Sequence, residues 1–253
     1  MCLYTINLKQ NGVLPMGEKG EHSYPPTLVL IAALIEEEGI GLTIAELKQY
    51  LRNPHVVVID GNSKDKTVHV AKSLGVDVIY QEGKGKGDAI GYAIKHVNED
   101  VDYVVLIDAD YTYPAEFVPQ MLKLLEENPR VGMVIGNRFN HLLTPIAMKN
   151  PFYVGNRFLA VVQRFLNGVD LNDPLTGLRV VRWGILRDWK PRSKGFDFEA
   201  ELNLHVERRG YQIVEVSIPY RARLGEKKLK LRHGFSIFRR IVEESFRNFR
   251  LFE

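Results

Sequence analysis

"VVLIDADYTYP", Val104 to Pro114, runs from four apolar residues into two carboxylates one residue apart, Asp108 and Asp110, and then into an aromatic turn. An unbroken run such as Val104, Val105, Leu106, Ile107 reads as a strand buried on both faces, which is what a parallel sheet covered by helices requires. The acids fall where that strand ends. In open α/β sheets the carboxyl ends of the strands are where ligands bind.

The same rhythm extends outward on both sides. The pattern predicts strands at Thr27 to Ala33, Val56 to Ile59, Val76 to Tyr80, Tyr103 to Ile107 and Val131 to Ile135. Between them, helical spacing covers about Glu36 to Leu51, Ser63 to Leu74 with Ser63 as N-cap, Asp88 to Val97, and Ala115 to Glu127. Strand and helix alternating at this interval mean an α/β fold with a mostly parallel central sheet flanked by helices. The second half is less regular. It holds a helix over about Gly155 to Leu166, the stretch "DLNDPLTGLRVVR", a helix near Glu199 to Arg209, a strand at Gln212 to Val216 and a basic tail.

Three segments carry candidate chemistry. Two carboxylates at a strand end offer hard oxygen ligands suited to Mg²⁺ or Mn²⁺, which keep waters and take up phosphate oxygens; an isolated Asp-x-Asp is also what a solvated turn uses. "VVVIDGNSKDKT", residues 56 to 67, brings Asp60, Gly61, Asn62 and Ser63 to a helix start, a place for an anionic or hydroxyl-bearing ligand or for ordinary turn and cap chemistry. "EGKGKGDA", residues 82 to 89, has no Ser or Thr after its Gly-Lys and has Asp88 where a dinucleotide fingerprint needs Gly. It reads as a flexible loop whose Lys84 and Lys86 close on phosphates, or as a plain surface hairpin.

Whole-chain properties narrow the class. The 253 residues, 45% hydrophobic, suffice for one compact domain with a full core. A formal charge of +3, from 34 basic and 31 acidic side chains, argues against general nucleic-acid binding. The charge is uneven: from Arg221 to Glu253 ten Lys or Arg face four Glu, which leaves the tail at +6 and the rest at −3. Cys2 is the single cysteine, so disulfides and thiolate clusters are excluded and a reducing, cytoplasmic setting is expected. The seven His show no zinc spacing, no nucleophile elbow is present, and the longest apolar run, Leu28 to Ile35, is too short to span a bilayer.

Taken together, "VLIAALIEEEGIG", "VVVIDGNSKDKT", "QEGKGKGDAI", "VVLIDADYTYP", "IGNR", "DPLTGLRVVR", "GFDFEAEL" and "IPYRARLGEKKLKL" resemble, in order, the family 2 glycosyltransferases of the GT-A fold. The nearest group is the dolichyl-phosphate mannose or glucose synthase-like enzymes, and the likeness covers roughly Thr27 to Leu231. It implies a glycosyltransferase domain over 27–231; before it, 1–26 reads as an irregular lead-in without sustained period, and after it, 232–253 reads as a basic amphipathic helix. It further implies a donor site, for a UDP- or GDP-hexose, along Ala32, Ala33, Leu34 and Glu36, the loop residues Asp60, Asn62, Ser63 and Asp65, then Lys86, Gly87 and Asp88, and finally Asp108, Ala109 and Asp110. The metal carboxylates fall on Asp108 and Asp110. The acceptor-phosphate cations fall on Arg138, Arg223 and Lys228, with Arg157 and Thr176 as lesser members. The chain departs from the family pattern at Ala32 and Ile35, where Pro and Asn are usual, and at Thr112, where lipid-phosphate synthases often carry Gln.

The implied reaction is inverting transfer of a hexose from a nucleoside diphosphate to a polyprenyl (dolichyl) phosphate. A phosphate acceptor needs cations to hold it and no proton removal, whereas an alcohol needs a general base, for which Asp173 and Glu199 are the candidates. A soluble sugar, phosphorylated small molecule or glycan as acceptor stays open, as does a catalytically silent nucleotide-sugar binder. In the tail, helical spacing sets Phe235, Phe238, Ile241, Val242, Phe246 and Phe249 along one side, with Arg239, Arg240, Arg247 and Arg250 elsewhere. Such a helix can lie on an anionic membrane at its cytoplasmic face, or pack on the sheet with its basic side in water.

Overall fold

The computed structural model describes residues 25–97, 99–139 and 151–249, so most of the lead-in, and Arg250 of the tail, lie outside the described residues. Seven strands form one sheet: β1 (Thr27–Ala33), β2 (His55–Asp60), β3 (Asp77–Tyr80), β4 (Tyr103–Leu106), β5 (Val131–Asn137), β6 (Arg179–Arg182) and β7 (Gln212–Ser217). Their order is β3-β2-β1-β4-β6-β5-β7. All run parallel except β6, which pairs antiparallel with β4 and with β5. The chain order reverses between β1 and β4, which opens a crevice at their carboxyl ends.

Alternating side chains feed two cores. Val29, Ile31, Val56, Val58 and Val105 face α1 (Ile40–Tyr50) and α4 (Val118–Glu127), while α2 (Thr67–Ser73) adds Ala71. Leu28, Leu30, Val57, Ile59 and Val104 face α3 (Lys86–His96) and α7 (Phe198–Arg208), and Trp183 and Trp189 are buried on this side. A third cluster joins α7 to α5 (Pro151–Asn167) and α8 (His233–Phe249) through Leu159, Ala200, Ile237 and Ile241. The short α6 (Trp183–Leu186) follows β6.

Several boundaries differ from the sequence reading, each for a local reason. The first helix starts at Ile40 instead of Glu36; Ile35 has a left-handed backbone, and the Glu36 and Glu37 amides donate to Thr67 Oγ1 (2.8 Å) and Asp65 Oδ2 (3.0 Å) of the neighbouring loop. The second starts at Thr67, and Ser63 is not its N-cap. Ser63 donates its amide to Asp60 Oδ2 and accepts the Ile35 amide on its hydroxyl. Residues Ala115–Phe117 form a 3₁₀ turn before α4, whose first turn holds Pro119, a residue with no amide hydrogen to lose there. Strand β6 was not foreseen: "RVVR" has only two apolar residues, and its arginines are satisfied by backbone carbonyls and Asn203 inside the fold. On α8 the sequence reading sets Ile241 with the outward phenylalanines and Arg240 away from the core; the structure turns both inward.

Candidate functional site

The ends of β1, β2 and β4 meet in the crevice, and each is followed by a non-glycine residue with left-handed backbone: Ile35 (φ 54°), Asn62 (φ 66°) and Tyr111 (φ 63°). That conformation suits Asn and strains a β-branched residue, so Ile35 is held there by its surroundings. Four hydrogen bonds stitch the first two loops into one wall: Ile35 N to Ser63 Oγ, Glu36 N to Thr67 Oγ1, Glu37 N to Asp65 Oδ2, and Lys66 N to Glu37 Oε2. Against the cost of its burial, hydrogen bonds from Thr67 and Glu37 hold Asp65 below the usual carboxylate range. Asp60 is fully buried and its Oδ1 has no hydrogen-bond partner.

The third loop carries the acid pair. Thr43 accepts the Tyr111 amide and donates to the Ala109 carbonyl, which fixes the bend. Gly39 and Gly177 press against this loop so closely that a Cβ on Gly39 would collide with Ala109 and Asp110, and one on Gly177 with the Asp108 carboxylate. Thr112 donates both its amide (3.1 Å) and its hydroxyl (2.6 Å) to Asp110 Oδ1, and so orients that carboxylate. Burial and repulsion from Asp108 push Asp110 upward in pKa. Against its own burial, Asp108 is held low by the Lys86 ammonium 2.5 Å from its Oδ1.

Cations surround these acids. Lys86 bridges Asp108 and Glu199, the latter at 2.6 Å. Arg223 reaches both Asp110 and Glu36, and Lys228 binds Glu36 Oε1 (2.9 Å) and the Ile35 carbonyl (2.5 Å). Both belong to the segment after β7, which crosses the strand ends: Arg221 N donates to Thr112 O, Leu224 N to Asp110 O, and the Arg221 guanidinium grips Glu46 with two 2.7 Å bonds. Arg138 is clamped bidentately by Asp173 (2.7 Å and 2.7 Å) and lies beside the rings of Tyr113, Phe139 and Tyr220.

The structure therefore brings together Glu36, Lys86, Asp108, Asp110, Arg223 and Lys228, with Ala32, Ala33, Leu34 and Ala109 on the strand ends beside them. Arg138 stands next to the group, its charge felt at Asp108. Three expectations change. Asp173 is fully buried and its carboxylate is taken up by Arg138 and Asn156. Glu199, also buried, is paired with Lys86. The loop of Lys84 and Lys86 is docked, since the Gly87 and Asp88 amides donate to the carbonyls of Gly195 and Lys194. Arg157 is exposed on α5 against Asn172, and Thr176 is buried with an unpartnered hydroxyl. Tyr113, whose hydroxyl accepts the Gly177 amide at 2.6 Å, and Tyr220 were missed as parts of the site. Their only signal was an aromatic residue after "DAD" and the tyrosine that opens "YRAR".

Two neighbouring carboxylates, one of them raised in pKa by burial and by the other's charge, are hard oxygen donors of the kind a divalent cation takes. Among the described residues no cluster of three or more His, Cys, Asp or Glu offers a closed metal cage.

The fold and the crevice define a GT-A glycosyltransferase. Residues 28–181 match the family model described as glycosyl transferase family 2, and the chain belongs to that family. The dolichyl-phosphate hexose transferase of Haloferax volcanii is 34% identical over 212 residues, 83% of this chain and 89% of that protein. The undecaprenyl-phosphate mannosyltransferase of Micrococcus luteus is 29% identical over 217 residues, 80% of this chain and 86% of that one. Among solved structures, Mycobacterium tuberculosis glucosyl-3-phosphoglycerate synthase with Mn²⁺, UDP-glucose and phosphoglyceric acid superimposes with a TM-score of 0.69 at 22% identity, over 87% of this chain and 80% of that one.

Proposed function

We propose that this glycosyltransferase moves a hexose, with inversion, from a UDP- or GDP-hexose to a polyprenyl phosphate. The observation that carries the acceptor assignment is that both candidate bases are spent on cations, Asp173 on Arg138 and Glu199 on Lys86. An alcohol acceptor needs a free base, whereas a phosphate is already an anionic nucleophile and needs only to be held. Arg223, Lys228 and Arg138 are the cations that would hold it. The names of the H. volcanii and M. luteus relatives support the same class of acceptor.

On the donor side, the stitched loops of residues 34–37 and 60–67 form the wall for the nucleoside, and Lys86 stands where it can meet a phosphate oxygen. Asp108 and Asp110 are the residues that would hold Mg²⁺ or Mn²⁺, and the bound cation supplies neutralisation of the charge that builds on the departing diphosphate. Thr112 keeps Asp110 turned for that task. Arg223 already contacts Asp110 and so links the donor and acceptor halves of the crevice. The place of work we infer is the cytoplasmic face of a membrane, where a polyprenyl tail resides.

The test is purified full-length protein with Mn²⁺ and radiolabelled UDP- or GDP-hexoses, with and without polyprenyl phosphate. Label entering the organic phase only when the lipid is present, and falling about 10- to 100-fold in Arg223→Ala, is the expected result. Label confined to water-soluble product overturns the acceptor assignment.

A further inference from the structure

The loop that joins α5 to β6 brings "NDPLTG", residues 172–177, to the edge of the crevice. From it Asp173 clamps Arg138, and Gly177 lies against the Asp108 carboxylate while its amide donates to the Tyr113 hydroxyl. No helix or strand takes up the polar backbone groups of this stretch, so they need partners from elsewhere. Two charged side chains of opposite sign supply them.

Glu215, on β7, receives the amides of Asn172 (3.0 Å) and Asp173 (2.8 Å) and the side-chain amides of Asn172 (2.8 Å) and Asn137 (3.2 Å). Arg179, which opens β6, gives Nη2 to the Pro174 carbonyl (2.6 Å), Nε to the Thr176 carbonyl (2.9 Å) and Nη1 to Asn203 Oδ1 (2.6 Å). The stretch is thus gripped by its amides at one end and by its carbonyls at the other. All these partners are neutral, and Arg179 is only 1% exposed. Holding a buried guanidinium on neutral carbonyls is costly, and an apolar residue at the start of β6 would cost less. What the charged fork provides is a grip on several carbonyls at once.

The grip decides how Arg138 is aimed. Asp173 Oδ2 accepts the Arg138 amide (3.1 Å) and Nε (2.7 Å), and Oδ1 accepts Nη2 (2.7 Å). A guanidinium held by two of its nitrogens is fixed in its own plane, so the direction of Nη1 follows from where the loop puts Asp173. We propose that Glu215 and Arg179 are positioning residues for Arg138: by holding the 172–177 stretch from both ends, they set the direction in which Arg138 offers Nη1 to the acceptor phosphate. They act through Asp173 and do not touch the substrate. The acceptor rests on the reading given above; the hold on Arg138 does not. A misplacement of about 1 Å in a positioning group of this kind costs about 100-fold in rate.

The experiment compares the full chain with Glu215→Gln, Arg138→Ala and the two combined, and uses Arg179→Lys as a second probe of the same grip. Gln keeps the size of Glu215 but has one acceptor oxygen where four donors converge; Lys keeps the charge of Arg179 but lacks the fork. Glu215 is half-buried, so its variant keeps the test open if Arg179→Lys fails to fold. The first readout needs no acceptor: solvent exchange of the Arg138 Nε–H, followed by ¹⁵N NMR and assigned by its loss in Arg138→Ala, quickens about tenfold or more in Glu215→Gln. The second is transfer to polyprenyl phosphate. In Glu215→Gln, kcat/KM for the lipid falls about 10- to 100-fold with donor-nucleotide Kd unchanged, and the change adds nothing to the loss already caused by Arg138→Ala. Unaltered Nε–H exchange overturns the proposal, whatever happens to stability. Additive losses in the double variant do the same. Quickened exchange in a protein whose wild type makes no lipid-linked product leaves the positioning role standing and sinks the acceptor reading alone.

Discussion

Among the described residues, two of the places that bury charge are built differently. In the crevice, Glu36, Asp108 and Asp110 sit on loops after strands and share Lys86, Arg223 and Lys228. Between α7 and α8, Arg240 meets Asp197, Glu201, Glu243 and Glu244, and Arg208 also holds Glu244. Those groups stand on helices whose packing fixes them. We infer that the pairs on strand-end loops exchange a protein cation for a ligand, whereas the pairs between packed helices hold the helices together. Buried charge alone therefore does not mark the site, and the element that carries it does.

The largest effect should come from the crevice. Asp110→Ala is expected to lower turnover about a thousandfold or more while leaving cooperative unfolding intact, as read by sugar-transfer assay and urea titration. Unchanged turnover would make the crevice as structural as the helix pair. Conversely, Arg240→Ala strands Asp197 and Glu244 and should cost about 3–5 kcal/mol in urea unfolding, with activity per folded molecule preserved. If activity falls and stability does not, the distinction fails.

Smaller effects sharpen it. Ile35 is half-exposed with a left-handed backbone, so Ile35→Asn should stabilise the chain by about 1 kcal/mol, a rise of roughly 2–4 °C in Tm. A fall in Tm would show that the Ile side chain contributes more than its strain costs. The smallest effect concerns His205, stacked on Trp189 and bonded to the Ile185 carbonyl, where burial holds the imidazole below its usual 6.5. The unfolded chain then takes up the proton first. Stability from the neutral ring is complete above pH 6.5 and declines as pH falls through the lower folded value. His205→Gln should flatten that decline, by less than about 1 kcal/mol, in urea midpoints measured from pH 8 to pH 5.

Much of the architecture was legible because buried parallel strands are written as continuous apolar runs: β1 was read to the residue, and Asp108 and Asp110 were placed at the end of β4. Strand β6 was hidden because four residues with arginine at each end carry no period. The start of α1 was hidden because the residues before it are tied to side chains 28 to 31 positions away, which no local pattern shows. In the site, residue types announced the acids and the cations, but not their pairings. Asp173 carried no sign of its pairing with Arg138, and Tyr113 and Tyr220 lay inside quoted motifs without a role to mark them.

The sequence by itself determined the alternation of strand and helix, the acid pair at a strand end and the excess of positive charge in the tail, since each is a local pattern of residue types. Only the tertiary structure decided which charges pair with which, that Ile35 bears a left-handed backbone, and that Phe158, Phe165, Phe235 and Phe246 are exposed. Those properties depend on what lies opposite a side chain, and its partner stands far away along the chain.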